Sequence, residues 1–102
     1  MTGDESTADD PVLDALFATI EQRKADLPEG SYTASLFTHE KGENATLEKV
    51  GEESTEVVLA AKDGDREDLI AESADLVYHL LVLLAIHDLT LDDLRAELEA
   101  RF

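Results

Sequence analysis

The sequence predicts an all-α fold, and three observations carry the prediction. Apolar residues recur at three- and four-residue spacing in successive stretches, no stretch alternates with a period of two, and residues that cap helices stand where the periodic stretches begin. With 102 residues and no internal repeat, the chain is one helical bundle around one modest core: four main helices and a short helical turn.

Residues 1–10 are polar, acidic and aperiodic, and read as a disordered tail with no secretory or transit signature; the domain is assigned to 11–102. Asp10-Pro11 is an N-cap followed by proline at the first helical position, and Val12, Leu13, Leu16, Phe17 and Ile20 carry the first helix to about Asp26. Leu27-Pro28-Glu29-Gly30 stops it, and Ser31-Tyr32-Thr33 leads into a short apolar turn over Ala34–Phe37 before Gly42. A second helix over Asn44–Lys62 is expected to bury the stripe Leu47, Val50, Val57, Val58 and Ala61 and to end at Gly64. Asp65, with Asp68 three residues on, starts a third helix, apolar nearly all round from Leu76 to Ile86. That run is too short to cross a bilayer. Burying it on every side is easiest if a second copy covers one side, so a homodimer is expected. Thr90 with Asp93 opens the last helix, which runs through Leu91, Leu94 and Leu98.

Composition narrows function. Eight Lys and Arg stand against 25 Asp and Glu, a net charge of -17, which argues against binding duplex nucleic acid or an anionic membrane through a basic face. Repulsion of this size is largely screened near molar salt, so the chain reads as adapted to a salty cytoplasm, with a merely solubilising surface or a docking face for a basic protein as the other readings. There is no Cys, which removes disulfides, thiolate zinc and a cysteine nucleophile and fits a cytoplasmic protein.

The chemistry lies on two helices. At 100° per residue, Lys49, Glu52, Glu53 and Glu56 fall within an arc of about 100° on helix two, and Glu72, Asp75 and His79 within about 60° on helix three. Antiparallel packing across the short connection would let five carboxylates face each other, and their repulsion demands a hard cation, Mg²⁺ or Mn²⁺. Glu-Glu-x-x-Glu alone is a weak signal in so acidic a chain. The added Glu-x-x-Asp, at the mouth of an apolar helix, strengthens it. His79 reads as a hydrogen-bonded residue of the helix core, supporting Asp75. His39 and His87 read as surface or helix-end residues, and Asp63-Gly64-Asp65 as a turn and not a calcium loop, since Asp68 and Ala74 occupy the positions where such a loop needs Gly and Glu.

The order of these motifs resembles a known family. Arg23, Ser31-Tyr32-Thr33, Lys49-Val50-Gly51-Glu52-Glu53-Ser54-x-Glu56-Val57 and Glu72-Ser73-Ala74-Asp75-Leu76-Val77-Tyr78-His79-Leu80-Leu81-Val82 closely resemble the phosphoribosyl-ATP pyrophosphatases of histidine biosynthesis over about residues 12 to 101. The resemblance implies a MazG-like helical homodimer that uses Mg²⁺ to cleave phosphoribosyl-ATP to phosphoribosyl-AMP and pyrophosphate. By motif position it assigns Glu52, Glu53, Glu56, Glu72 and Asp75 to the metal. Glu53, Glu56 and Lys49 are the candidate catalytic residues, and Arg23, Ser31, Tyr32, Thr33, Lys49 and His79 the candidate substrate contacts. Relatives often carry basic residues near Ala45 and Glu48, and Ala in place of Ser54. Many are fused to a cyclohydrolase for the next step; here that partner is expected to be a separate protein. Two other functions share these residues: a MazG-like house-cleaning nucleotide pyrophosphohydrolase of different base or sugar preference, and a non-catalytic acidic helical dimer binding a basic protein.

Overall fold

The computed structural model describes residues 11–102, which form five helices and no strand. The tail assigned to residues 1–10 lies outside the described residues. Helix α1 (Pro11–Asp26) has proline in its first turn, where the missing N–H has no helical partner to lose. The predicted apolar turn is a full helix, α2 (Tyr32–Phe37), beginning two residues earlier than the apolar pattern because the Ser31 hydroxyl caps it by accepting from the Ala34 N–H at 3.1 Å.

α3 (Asn44–Asp63) ends on Gly64, whose φ of 73° suits a residue without a side chain, and its N–H donates to the carbonyls of Ala60 and Ala61. One residue further, Asp65 caps α4 (Arg66–Ile86) by accepting from the Asp68 N–H at 3.0 Å. So short a link folds α3 and α4 into an antiparallel pair. α5 (Leu91–Arg101) opens on the predicted capping box: the Thr90 hydroxyl accepts from Asp93 N–H at 3.1 Å, and the Asp93 carboxylate from Thr90 N–H at 2.8 Å.

α4 is central. Its Leu81, Val82 and Ala85 join Phe17 and Ile20 of α1, Leu36 of α2 and Leu91 of α5 in one core. Lys24 of α1 reaches the end of α4, donating to the Ala85 carbonyl and to Asp88, each at 2.7 Å, which satisfies a helix-terminal carbonyl.

One expectation is corrected here. On α3 the buried residues are Thr46, Glu53 and Ala60; of the expected stripe Val50 and Val57 are half-buried, whereas Leu47 and Val58 stand 43% and 56% exposed and Ala61 is exposed too. The helix rotated a Glu inward because a buried imidazole receives it, as described below. Within one chain α4 is left partly uncovered, as expected: Val77 and Leu80 of its apolar run lie 39% and 37% exposed, and Ile70, nearer its start, 69%. The apolar run within α4 is too short to cross a membrane, while the whole helix, 21 residues, is long and apolar enough by length and composition. Its acids and His79 on one face, and its packing along α3, account for it as a bundle helix.

Candidate active site

The facing sides of α3 and α4 enclose a cleft of about 590 Å³ lined by Lys49, Glu52, Glu53, Thr55, Glu56, Glu72 and Asp75. All five predicted acids and the predicted lysine thus line one space. Local helical geometry places them: Glu52, Glu53 and Glu56 share one face of α3, and Glu72 and Asp75 one face of α4. Thr55 was not foreseen; its hydroxyl donates to the Gly51 carbonyl at 3.2 Å. Among the described residues no three acids or imidazoles stand close enough to hold a metal ion, so the cluster is a lined cleft and not a closed coordination sphere.

Glu53 differs from its neighbours. Its Oε1 lies 2.7 Å from Nδ1 of His79, and both side chains are nearly buried, at 9% and 5% exposure. The same Nδ1 lies 3.1 Å from the Asp75 carbonyl. Both neighbours are acceptors, so Nδ1 carries the proton and donates. Nε2 then faces the Tyr32 hydroxyl at 2.9 Å. Burial, the largest cause, raises the Tyr32 phenol above its ordinary range; Tyr78, Glu53 and Glu52 push the same way against Lys49. Tyr32 therefore keeps its proton. A hydrogen-bond chain Tyr32–His79–Glu53 results, joining α2, α4 and α3. The sequence reading had His79 support the Asp75 side chain; the carboxylate it holds is Glu53, and only the main chain of Asp75 takes part. Spacing along α4 could not show this, since the partner lies 26 residues away on another helix.

Glu72 is raised above the usual carboxylate range, first by desolvation and then by Asp68, Glu56, Asp75 and Glu53. Anionic crowding is thus felt at the α4 side of the cleft. Lys49 sits at the rim with Nζ 3.4 Å from Glu52 Oε1, and that hydrogen bond, the largest cause, raises its pKa and keeps it cationic.

The remaining predicted substrate contacts divide. Tyr32 and Lys49 line a second, adjoining cleft of about 280 Å³ with Ser35, Leu36, His39, Lys41, Ala45 and Glu48. Ser31 is occupied as the cap of α2. Thr33 bonds the Tyr78 hydroxyl, steadying a tyrosine whose ring lies 4.7 Å from that of His79. Arg23, half-buried on α1, lines neither cleft. His87 is a helix-end residue as expected, paired with Glu43 at 2.8 Å. A further cavity of about 310 Å³ between α1, α2 and the end of α4 has only Lys24 and Glu43 as charged lining, each already paired.

An all-α chain with an acidic cleft between two antiparallel helices, a lysine at its rim and a buried Glu–His pair behind it has the parts of a hydrolase. A family model described as phosphoribosyl-ATP pyrophosphohydrolase matches residues 13–102, and the chain belongs to that family. It is 71% identical over 90 residues to the phosphoribosyl-ATP pyrophosphatase of Haloarcula marismortui, covering 88% of this chain and 92% of the relative. The protein of that name from Natronomonas pharaonis is 66% identical over 101 residues, and that from Haloquadratum walsbyi 61% over 101, each covering 99% of both chains.

Proposed function

We propose that this chain hydrolyses phosphoribosyl-ATP to phosphoribosyl-AMP and pyrophosphate, a step of L-histidine biosynthesis, with Mg²⁺, or Mn²⁺ in its place, at the acid cleft. The observation that carries the reading is the convergence of Glu52, Glu53, Glu56, Glu72 and Asp75 on one space in a chain that matches the family over 13–102. The donors are all oxygen, which suits a hard cation, and the acids Asp68, Glu56, Asp75 and Glu53, which add to desolvation in raising the Glu72 pKa, are a crowding that such a cation relieves. When bound there it would supply positive charge to the phosphate oxygens.

The rest is work for the chain itself. His79 fixes the direction of Glu53 through Oε1, leaving Oε2 without a partner among the described residues. Glu56, exposed and also without a described partner, can orient a water toward the α-phosphorus. Lys49 offers a fixed positive charge at the rim, where the triphosphate enters. The exposed Leu47, Val58, Leu59, Ile70, Val77 and Leu80 support a homodimer in which a second copy covers the outer side of α3 and α4. A cytoplasmic location and a separate cyclohydrolase for the next step complete the reading.

Pyrophosphate release tests it, with phosphoribosyl-ATP, ATP and dCTP compared in molar KCl with and without Mg²⁺. Phosphoribosyl-ATP should be the preferred substrate and turnover should require the cation; preference for dCTP would replace the reading with house-cleaning hydrolysis, and no Mg²⁺-dependent turnover on any of the three would remove it. Glu53→Gln, which keeps an acceptor for His79, and Asp75→Asn should each lower kcat by about 10³-fold, near 4 kcal/mol, in proteins that remain folded. Turnover at the parental rate in either variant would unseat these acids.

A further inference from the structure

The second cleft is where cations gather in a chain that has few. Of the eight Lys and Arg, Lys24 is held by Asp88, Arg95 by Asp14 and Asp92, and Arg101 by Glu97. Two others, Lys41 and Lys49, line this one small space together with His39. Lys49 also lines the acid cleft, so the two spaces adjoin.

The donors can be sorted. The Ser35 hydroxyl already donates to the Tyr32 carbonyl at 2.5 Å and is only wall. His39 Nδ1 accepts from the Lys41 N–H at 3.1 Å, so the proton of a neutral His39 sits on Nε2, which is then a donor. Lys41 Nζ lies 3.1 Å from Glu48, an exposed pair that holds the ammonium at the cleft. Two ammonium groups, an imidazole N–H and Tyr32 line one space against a single carboxylate, Glu48, and describe a site for an anion carried on a sugar.

The substrate reading above supplies such a group. Phosphoribosyl-ATP is anionic at both ends, with a triphosphate at one and the phosphomonoester of its added ribosyl group at the other. The acid cleft can take a phosphate only with a cation between, and its one basic side chain is Lys49. Resting on that reading, we infer that the cleft of Tyr32, His39, Lys41 and Lys49 seats the phosphoribosyl end of the substrate, with Lys41 and His39 on its phosphomonoester. Lys41 and His39 thereby become the residues that separate phosphoribosyl-ATP from ATP.

Binding and turnover test this separately. Ribose 5-phosphate titrated into the protein in EDTA should shift the amide resonances of Ser35, Lys41 and Lys49 and saturate in the millimolar range. That binding should disappear in Lys41→Glu, return in Lys41→Arg and tighten in Glu48→Gln, where the competing carboxylate is gone. A mere surface ion pair would predict no gain in Glu48→Gln. With phosphoribosyl-ATP, Lys41→Ala should raise KM about tenfold at nearly constant kcat and leave KM for ATP unmoved. Ribose 5-phosphate that shifts no residue of this cleft, or is matched by inorganic phosphate, overturns the inference. The binding arm needs neither Mg²⁺ nor turnover, so failure of the hydrolase reading would show as inactive wild type with the binding intact.

Discussion

The inner side of α4, which meets α1 and α2, shuts Leu81, Val82 and Ala85 away from water and His79 in with its carboxylate partner; its outer side leaves Ile70, Val77 and Leu80 in the open, as Leu47, Val58 and Leu59 are on α3. The two sides are made of the same residue types. What separates them is the availability of cover: α1, α2 and α5 bring enough apolar surface for one side only, and each large aliphatic left in water forgoes about 1.5–3 kcal/mol. Even the inner side is partly polar. Glu53 takes a position on α3 where an aliphatic residue would be expected, and the bond to His79 offsets the burial of a carboxylate.

The largest effect should come from Val82→Asp. An unpaired charge at a position with no exposure lies in the range of 4 kcal/mol or more, about the stability of a small domain, so circular dichroism should show no cooperative melt. Val77→Asp, on the outer side, should leave a folded chain at high concentration and act on association. Under the homodimer reading, sedimentation of wild type in high salt gives a dimer and Val77→Asp shifts it toward monomer. A wild type that sediments as a stable, folded monomer at micromolar concentration would break the comparison, since the outer side would then need no cover.

Salt should move the outer side more than the inner. Under the homodimer reading two chains of net charge -17 approach each other there, so raising KCl from about 0.1 M to about 3 M should tighten association and raise Tm by about 10 °C or more. A flat Tm across that range contradicts salt adaptation. Smaller effects sharpen the inner side. Thr46 is fully buried and its hydroxyl has no partner among the described residues, so Thr46→Val should raise stability by about 1 kcal/mol in denaturant melts. An unchanged or lowered midpoint would mean that the hydroxyl is satisfied.

Glu72 yields the smallest effect. Its pKa is raised in the fold, so ionisation opposes folding above its unfolded value, and stability returns as pH falls through the raised one. Glu72→Gln should therefore give a small rise in Tm of the metal-free protein at neutral pH and low salt. The difference from wild type should close as pH is lowered through the carboxylate range; a gain that persists at acid pH would assign the effect to something other than charge.

Helix ends and the acid set were legible in the sequence because both are local. Thr90 with Asp93, Asp65 with Asp68, and Gly64 act within a few residues of themselves, and the 3.6-residue turn alone puts Glu52, Glu53 and Glu56 on one face and Glu72 with Asp75 on another. The family order of motifs was legible for the same reason. What only the tertiary structure decided is how each helix is rotated about its own axis and what lies across from it. The sequence pattern offered α3 an apolar stripe of Leu47, Val50, Val57, Val58 and Ala61, yet the helix is turned so that Thr46, Glu53 and Ala60 are buried, Val50 and Val57 half-buried, and Leu47, Val58 and Ala61 exposed. Periodicity says which residues share a face, but which face turns inward depends on partners distant in sequence. His79 for Glu53 and Tyr32 for His79 are contacts of that kind.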